Sequence, residues 1–404
     1  MNLPDKLVIS AAVFLTASTS ILAGMAGALK AGPQIFEQTD LFEVGKGGDF
    51  ASFRIPCLVV SNKGTVLAFL CARRTVSDWA DMEMVMRRST DGGRTWEAPR
   101  VVVDKKGGKG TVDNASAVVD QRTGRIHFLY QINYARVYHM HSGDDGATFS
   151  EPADITPAIE KLRPGYNWTV VAPGPGHGLQ MSNGRLVIPI WLSNGGGKAH
   201  RPSVASVLYS DDNGASWRAG DIVPDTIKNL SETAAVQLED GRVMLFLRNE
   251  DTAHYTHAVS YSKDGATGWT APEFHPDLYS PICFATAIRL SASTVGDEKS
   301  RLLFVHPNNP GNTEVIRPAW GIRPRDSMTV RVSYDEGKTW PVHRMLSPER
   351  CGYADLAIGA DGMIYCLYER GYIKGNNLNV RYLSFARFNL EWLSHGADSA
   401  DLTP

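Results

Sequence analysis

Cysteine is scarce in this 404-residue chain: five residues, at 57, 71, 283, 351 and 366, odd in number and without CxxC spacing. That pattern excludes a zinc ribbon and a disulfide framework. It predicts buried free thiols, with Cys57 and Cys71 the one pair that a hairpin could bring face to face. A basic block is also missing. Lys and Arg total 41 against 43 Asp and Glu, a formal net charge of −2, which argues against nucleic acid as the main partner. No HExxH, Walker A or GxSxG run occurs, and the 11 histidines show no metal-ligand spacing. Pro175 interrupts GPGHG at 174–178, so that run is no dinucleotide loop, and neither a metal nor a cofactor is expected. After the first thirty residues, no stretch is long and apolar enough to cross a bilayer. Those thirty differ: LVISAAVFLTASTSILAGMAGAL follows MNLPDK, and Ala26-Gly27-Ala28 fits the small-x-small cleavage rule. Residues 1–30 therefore read as a secretory signal, an uncleaved anchor helix being the alternative. The expectation is a secreted or periplasmic protein with no stable membrane association after cleavage.

What the chain does have is repetition. STDGGRTW at 89–96 returns as SGDDGATF (142–149), SDDNGASW (210–217), SYDEGKTW (333–340) and a degraded SKDGATGW (262–269). A second repeat, a turn glycine followed by a short β-rich run, centres on Gly64, Gly124, Gly184, Gly241 and Gly362, with a looser copy near Ser300. The spacing is close to sixty residues. Six β-units without helical periodicity between them imply a solenoid or a propeller. Each unit holds a hairpin and then a second tight turn, enough for four strands. The last unit lacks the second turn, as expected if an N-terminal strand completes it. The fold class is therefore all-β, a six-bladed β-propeller over 31–404 with no room for a second domain. In the eight-residue turn, Ser and Asp hydrogen-bond nearby backbone N–H groups and Gly takes the φ > 0 position. Trp or Phe pins the turn, which makes the repeat architecture and not chemistry.

Candidate chemistry comes from phase along the hairpins, because residues equally far before and after a turn lie at the same end. Arg54 and Asn114 precede their turn glycines by ten residues, Glu232 and Tyr353 by nine. Arg73 follows at +9, Arg248 and Glu369 at +7, and Asp78 at +14. These polar side chains belong at one end of the propeller, near the mouth of its axis. Arg54, Arg248 and Arg325 suit convergence on one carboxylate, because each guanidinium offers a planar, permanently charged fork. Glu369 is placed to hold Arg54 and to offset part of that charge.

With these residues in place, the chain resembles the bacterial sialidases (neuraminidases), retaining glycoside hydrolases on a six-bladed propeller. FRIP (53–56), ARRTVSDWADMEMVMRRSTDGGRTW (72–96), SETAAVQLEDGRVMLFLRN (231–249) and GYADLAIGADGMIYCLYERG (352–371) carry the likeness, in order along nearly the whole mature chain. The resemblance implies an exo-α-sialidase acting on terminal α-linked sialic acids of glycoproteins, glycolipids or oligosaccharides. It also implies a clamp of Arg54, Arg248 and Arg325 on the sialic acid carboxylate, with Arg317 and Arg323 as rivals for the third place. Asp78 matches the acid/base, with Asp81 its rival, and a pKa raised by burial suits that role, Trp79 and DMEMVM supplying an apolar wall. Tyr353 matches the nucleophile and Glu232 its base. Arg73 and Asn114 match further sugar contacts, Asn114 being preferred to Asp113. Trans-sialidase action and a sialic-acid-binding propeller without catalysis are the competing readings.

Overall fold

The computed structural model describes residues 32–399 except 47, 104–107, 109 and 374–377. The segment read as a secretory signal lies outside the described residues. The turn glycines act as the sequence suggests: Gly64, for example, adopts φ +82° between strands Ser52–Val60 and Val66–Arg73. Strands follow each such turn, and they assemble into five hydrogen-bonded sheets.

The first sheet runs Ser52–Val60, Val66–Arg73, Met82–Ser89 and Arg100–Val103. The second contains Val112–Val119, Ile126–Ile132, Arg136–Ser142 and Ala153–Asp154, with Gly176–His177 added in parallel at its inner edge. The third is built on the long hairpin Leu186–Lys198 and Arg201–Ser210, flanked by Val170–Pro173 and Arg218–Ala219. The fourth joins Thr233–Gln237, Val243–Leu247, Thr256–Ser262 and Glu273–Tyr279. The C-terminal sheet has seven strands and pivots on the 17-residue strand Val342–Ile358. That strand pairs with Asp326–Ser333 through its first half and with Ile364–Arg370 through its second. Its far edge is Tyr382–Phe388 paired with the first strand, Phe36–Glu43, which supplies the missing fourth strand of the last unit.

The repeated eight-residue turn is a sheet-to-sheet joint. In its first copy Ser89 Oγ accepts from the Gly93 N–H at 2.8 Å and donates to Asp91 at 2.8 Å. Asp91 in turn accepts from the backbone N–H of Thr95 at 2.9 Å, so the bonds reach four residues along. Glycine is required twice over. Gly93 sits at φ +82°, and a Cβ there would lie 2.2 Å from the Phe385 ring of the C-terminal sheet. Gly146 repeats the arrangement one sheet on, against Leu67 of the first sheet at 2.1 Å. Each turn thus seats on the preceding sheet, and the first sheet packs on the last. Apolar side chains fill the same interfaces, as where Leu58, Val66, Ala68 and Leu70 meet Tyr365, Leu367, Leu383 and Phe385. All five cysteines are free and buried, and Cys57 pairs in register with Phe69, so it does not face Cys71.

One backbone feature positions the site. Ile55 and Asn114 both have positive φ, at 60° and 57°, and each coincides with a register shift near the start of an inner strand. A β-branched residue seldom adopts this conformation. Such a bulge re-aims the neighbouring side chains, here Arg54 and Asp113, toward the centre.

Candidate active site

The predicted residues converge. Arg54, Arg73, Asp78, Asn114, Glu232, Arg248, Arg325 and Tyr353 all line one cavity of about 180 Å³ at the ends of the inner strands. Glu369 stands directly beneath and is fully buried. It accepts two hydrogen bonds from the Arg54 guanidinium at 3.2 Å each, and the backbone N–H groups of Ile55 at 3.0 Å and Tyr353 at 3.1 Å. One carboxylate therefore fixes a guanidinium of the first sheet and the tyrosine strand of the last. Gly352 permits this, since a Cβ there would lie 2.0 Å from the Glu369 carboxylate.

The Tyr353 hydroxyl is the centre of the arrangement. It donates to Glu232, whose two oxygens lie at 2.6 and 2.8 Å, and accepts from Arg248 Nη1 at 2.6 Å. Arg248 is also ion-paired with Glu232, and with Glu250 at 3.1 Å. The Arg54 and Arg325 guanidinium carbons stand 5.1 and 5.6 Å from the Tyr353 ring centre. Burial pushes the Tyr353 phenol well above its ordinary pKa, Glu232 adds to this, and Arg248 opposes it, so the phenol is neutral at pH 7. Burial also disfavours the charge on Arg54 and Arg248. Glu369 beside the first, and Glu232 and Glu250 around the second, outweigh it.

Of the three rivals for the third arginine, Arg325 is the buried one that reaches the floor of the cavity, donating to the Ile282 carbonyl. Arg317 lines the rim, and Arg323 lies 3.6 Å over the Tyr255 ring, away from the lining. The Nε groups of Arg248 and Arg325 are buried without a hydrogen-bond partner.

Asp78 departs from expectation. Burial does act to raise its pKa, but Arg73, 2.6 Å away, and Arg54 beyond it outweigh that, and the carboxyl is held well below the usual range. Its side chain is 52% exposed, on the loop after Val66–Arg73, so desolvation is incomplete. The apolar wall is only partly there. Trp79 packs 4.9 Å from the Tyr134 ring, while Met82, Met84 and Met86 of DMEMVM turn into the core. Asp81 does not reach the cavity and accepts the Gly110 N–H at 3.2 Å.

Arg73 is buried between two carboxylates, Asp78 and Asp113, the latter at 2.8 Å. Asn114 lines the cavity and donates to the Pro173 carbonyl at 3.2 Å, so both members of the Asp113–Asn114 pair serve the site from different depths. Sequence reasoning missed the far wall: Tyr134, Trp191 and His200, whose rings lie 4.8–6.0 Å apart, and Arg201, Glu250 and Trp320 at the rim. Spacing gave no signal for them: Gly184 and the start of SDDNGASW lie 26 residues apart, against 25 for Gly64 and STDGGRTW, and the height of the hairpin comes from its pairing.

The BNR repeat-like domain family matches residues 110–366. A sialidase from Micromonospora viridifaciens is 31% identical over 433 residues, an alignment covering 97% of this chain and 61% of that one. A sialidase from Bacteroides fragilis is 29% identical over 351 residues, covering 79% and 60%. The chain thus spans about 60% of the length of these two curated relatives. Among solved structures, the Hadza microbial sialidase Hz136 superposes with a TM-score of 0.70 at 25% identity, covering 85% of this chain and 67% of that one. The Trypanosoma rangeli sialidase, at 19% identity and TM-score 0.70 over 90% of this chain and 61% of its own, shares the fold. A neutral phenol held between a carboxylate and converging arginines, in an all-β chain matched over most of its length by these proteins, places it: the chain belongs to the sialidase family.

Proposed function

We propose that this protein is an exo-α-sialidase that removes terminal sialic acids from glycans with retention, through a tyrosyl-enzyme intermediate, on a six-bladed propeller. The blade count is supported by the C-terminal sheet dividing in two at the long strand Val342–Ile358. It is also supported by a second cavity of about 500 Å³, lined by Leu58, Val118, Leu179, Val236, Ile288 and Leu356, one residue from each of six inner strands.

The observation that carries the reading is the Tyr353 hydroxyl, held between Glu232 and Arg248 inside the arginine clamp. The anomeric carbon of a sialoside bears a carboxylate, which would repel an anionic nucleophile, and a neutral phenol avoids that repulsion. Arg54, Arg248 and Arg325 bind the carboxylate and bring the anomeric carbon over Tyr353. Glu232 takes the phenol proton as the bond to carbon forms. Asp78 must then gain a proton before the leaving oxygen departs. Substrate supplies the means, because its carboxylate neutralises Arg54, one of the two cations that keep Asp78 ionised, while its bulk removes water from the exposed face of Asp78. In the second half-reaction the Asp78 carboxylate accepts a proton from water, which releases the sugar and restores Tyr353.

Release of sialic acid from an aryl sialoside is the test. Wild type is expected to be active, with Tyr353→Phe and Asp78→Ala each slower by roughly 10²-fold or more. A wild type as inert as Tyr353→Phe would leave only a sugar-binding propeller.

A further inference from the structure

The rim of the cavity carries charge that the arginine clamp does not use. Two excursions of the chain meet there: the tip of the hairpin between Leu186–Lys198 and Arg201–Ser210, and the loop 308–325. Trp320 closes a short 3-10 turn on that loop. Its ring is covered by two cations, Lys198 Nζ at 3.9 Å and the Arg201 guanidinium at 4.5 Å from its centre. Arg201 is neutralised by Glu250. Lys198 and Arg317 have no carboxylate partner among the described residues. Neither Glu314 nor Asp251 pairs with them, although Asp251 lines the groove that opens from this rim. Glu314 is exposed and makes no ion pair among the described residues, and Asp251 is held by the Ala253 N–H at 2.9 Å and by His254 at 3.2 Å.

A shallow groove of about 940 Å³ leads outward from this rim, sharing Arg201, Glu250 and Trp320 with the cavity. A cavity of about 180 Å³ has room for a terminal sugar, so the remainder of the glycan leaves by the mouth. A neutral sugar arriving there finds the indole face already engaged by cations. An anionic group leaving by the mouth instead passes the Arg317 guanidinium, which lines the cavity, and Trp320 with the Lys198 ammonium over its ring, two cations without a carboxylate partner among the described residues.

Resting on the sialidase reading, we propose that Lys198 and Arg317 form a second anion subsite beside Trp320. The preferred substrates are then glycans whose penultimate sugar carries its own carboxylate or sulfate. The measurement is kcat/KM of the full chain on an α2,8-linked disialyl-lactose and on 3′-sialyllactose, taken as a ratio of acidic to neutral leaving sugar. A sulfated sialyllactose serves as the third arm, and separates carboxylate from sulfate recognition. In wild type the ratio favours the acidic substrates and shrinks between about 50 and 500 mM NaCl. Lys198→Ala/Arg317→Ala lowers the ratio by about 5- to 20-fold, Lys198→Glu lowers it further, and Lys198→Arg retains it. A ratio that moves less than about 2-fold in the double variant, or that ignores salt in wild type, overturns the subsite. An aryl sialoside keeps the two readings apart: wild type inactive on it refutes the sialidase reading, whereas an active wild type with an unmoved ratio refutes the subsite alone.

Discussion

The two ends of the inner strands follow opposite rules. Strand Ser52–Val60 carries Arg54 at one end and Leu58 at the other, and strand Val342–Ile358 carries Tyr353 and then Leu356. At the first end, buried charges are held by one another: Arg54 by Glu369, Arg73 by Asp78 and Asp113, Arg248 by Glu232 and Glu250. At the second end a larger cavity is lined mostly by apolar side chains, with His177, Glu239 and Arg289 among the polar exceptions. Collecting like charges in a dry hollow opposes folding unless each is paired, whereas apolar burial favours it. The pairing at the first end is therefore what lets one strand serve both purposes within three residues.

The largest expected effect comes from breaking the polar end at its centre. Tyr353→Phe should reduce kcat on an aryl sialoside by roughly 10²-fold or more with little change in melting temperature. Next is Glu369→Gln, which exchanges an acceptor of four hydrogen bonds for a partial donor and leaves the Arg54 charge buried. A loss of about 3–5 kcal/mol in urea unfolding is expected, together with a raised KM. Unfolding unchanged from wild type would show that the network is not structural. Leu356→Ala sharpens the contrast from the apolar end: about 2–5 kcal/mol of stability lost, with kcat/KM at low temperature retained.

The last effect is acidic. His127 and His139, 3.0 Å apart, are pushed down to about 4 and about 3 by burial, and neighbouring histidines add to this for the second. An unfolded chain takes up protons on both near pH 6.5, while the folded one does not until pH 4 or below. Stability is full above pH 6.5 and falls progressively toward pH 4 and then pH 3. Melting curves between pH 7.5 and 4 should show this, and a His127→Asn/His139→Asn double variant should flatten it.

Much of this was legible because turn glycines set a phase. Counting from Gly64, Gly124, Gly241 and Gly362 placed Arg54, Asn114, Glu232 and Tyr353 at one end, and all four line the cavity. The blade architecture was legible for the same reason, since each eight-residue turn bonds internally and needs no distant partner to be recognised. What stayed hidden depends on contacts between sheets. Nothing in FRIP announces that Ile55 takes a positive φ, because a β-branched residue argues against it. The ionised state of Asp78 follows from Arg73 and Arg54 arriving together, which spacing does not reveal. His200 and Arg201 are hidden by a hairpin whose height is set by pairing, not by pattern.

The latch between Phe36–Glu43 and Tyr382–Phe388 has a consequence for biosynthesis. Residues 36–43 are translated well before 382–388 and wait for them before the tyrosine's sheet is complete. Arg54, from the same early portion, likewise has no counter-ion until Glu369 has been translated. A nascent chain is therefore expected to stay catalytically silent until residues 382–388 have left the ribosome.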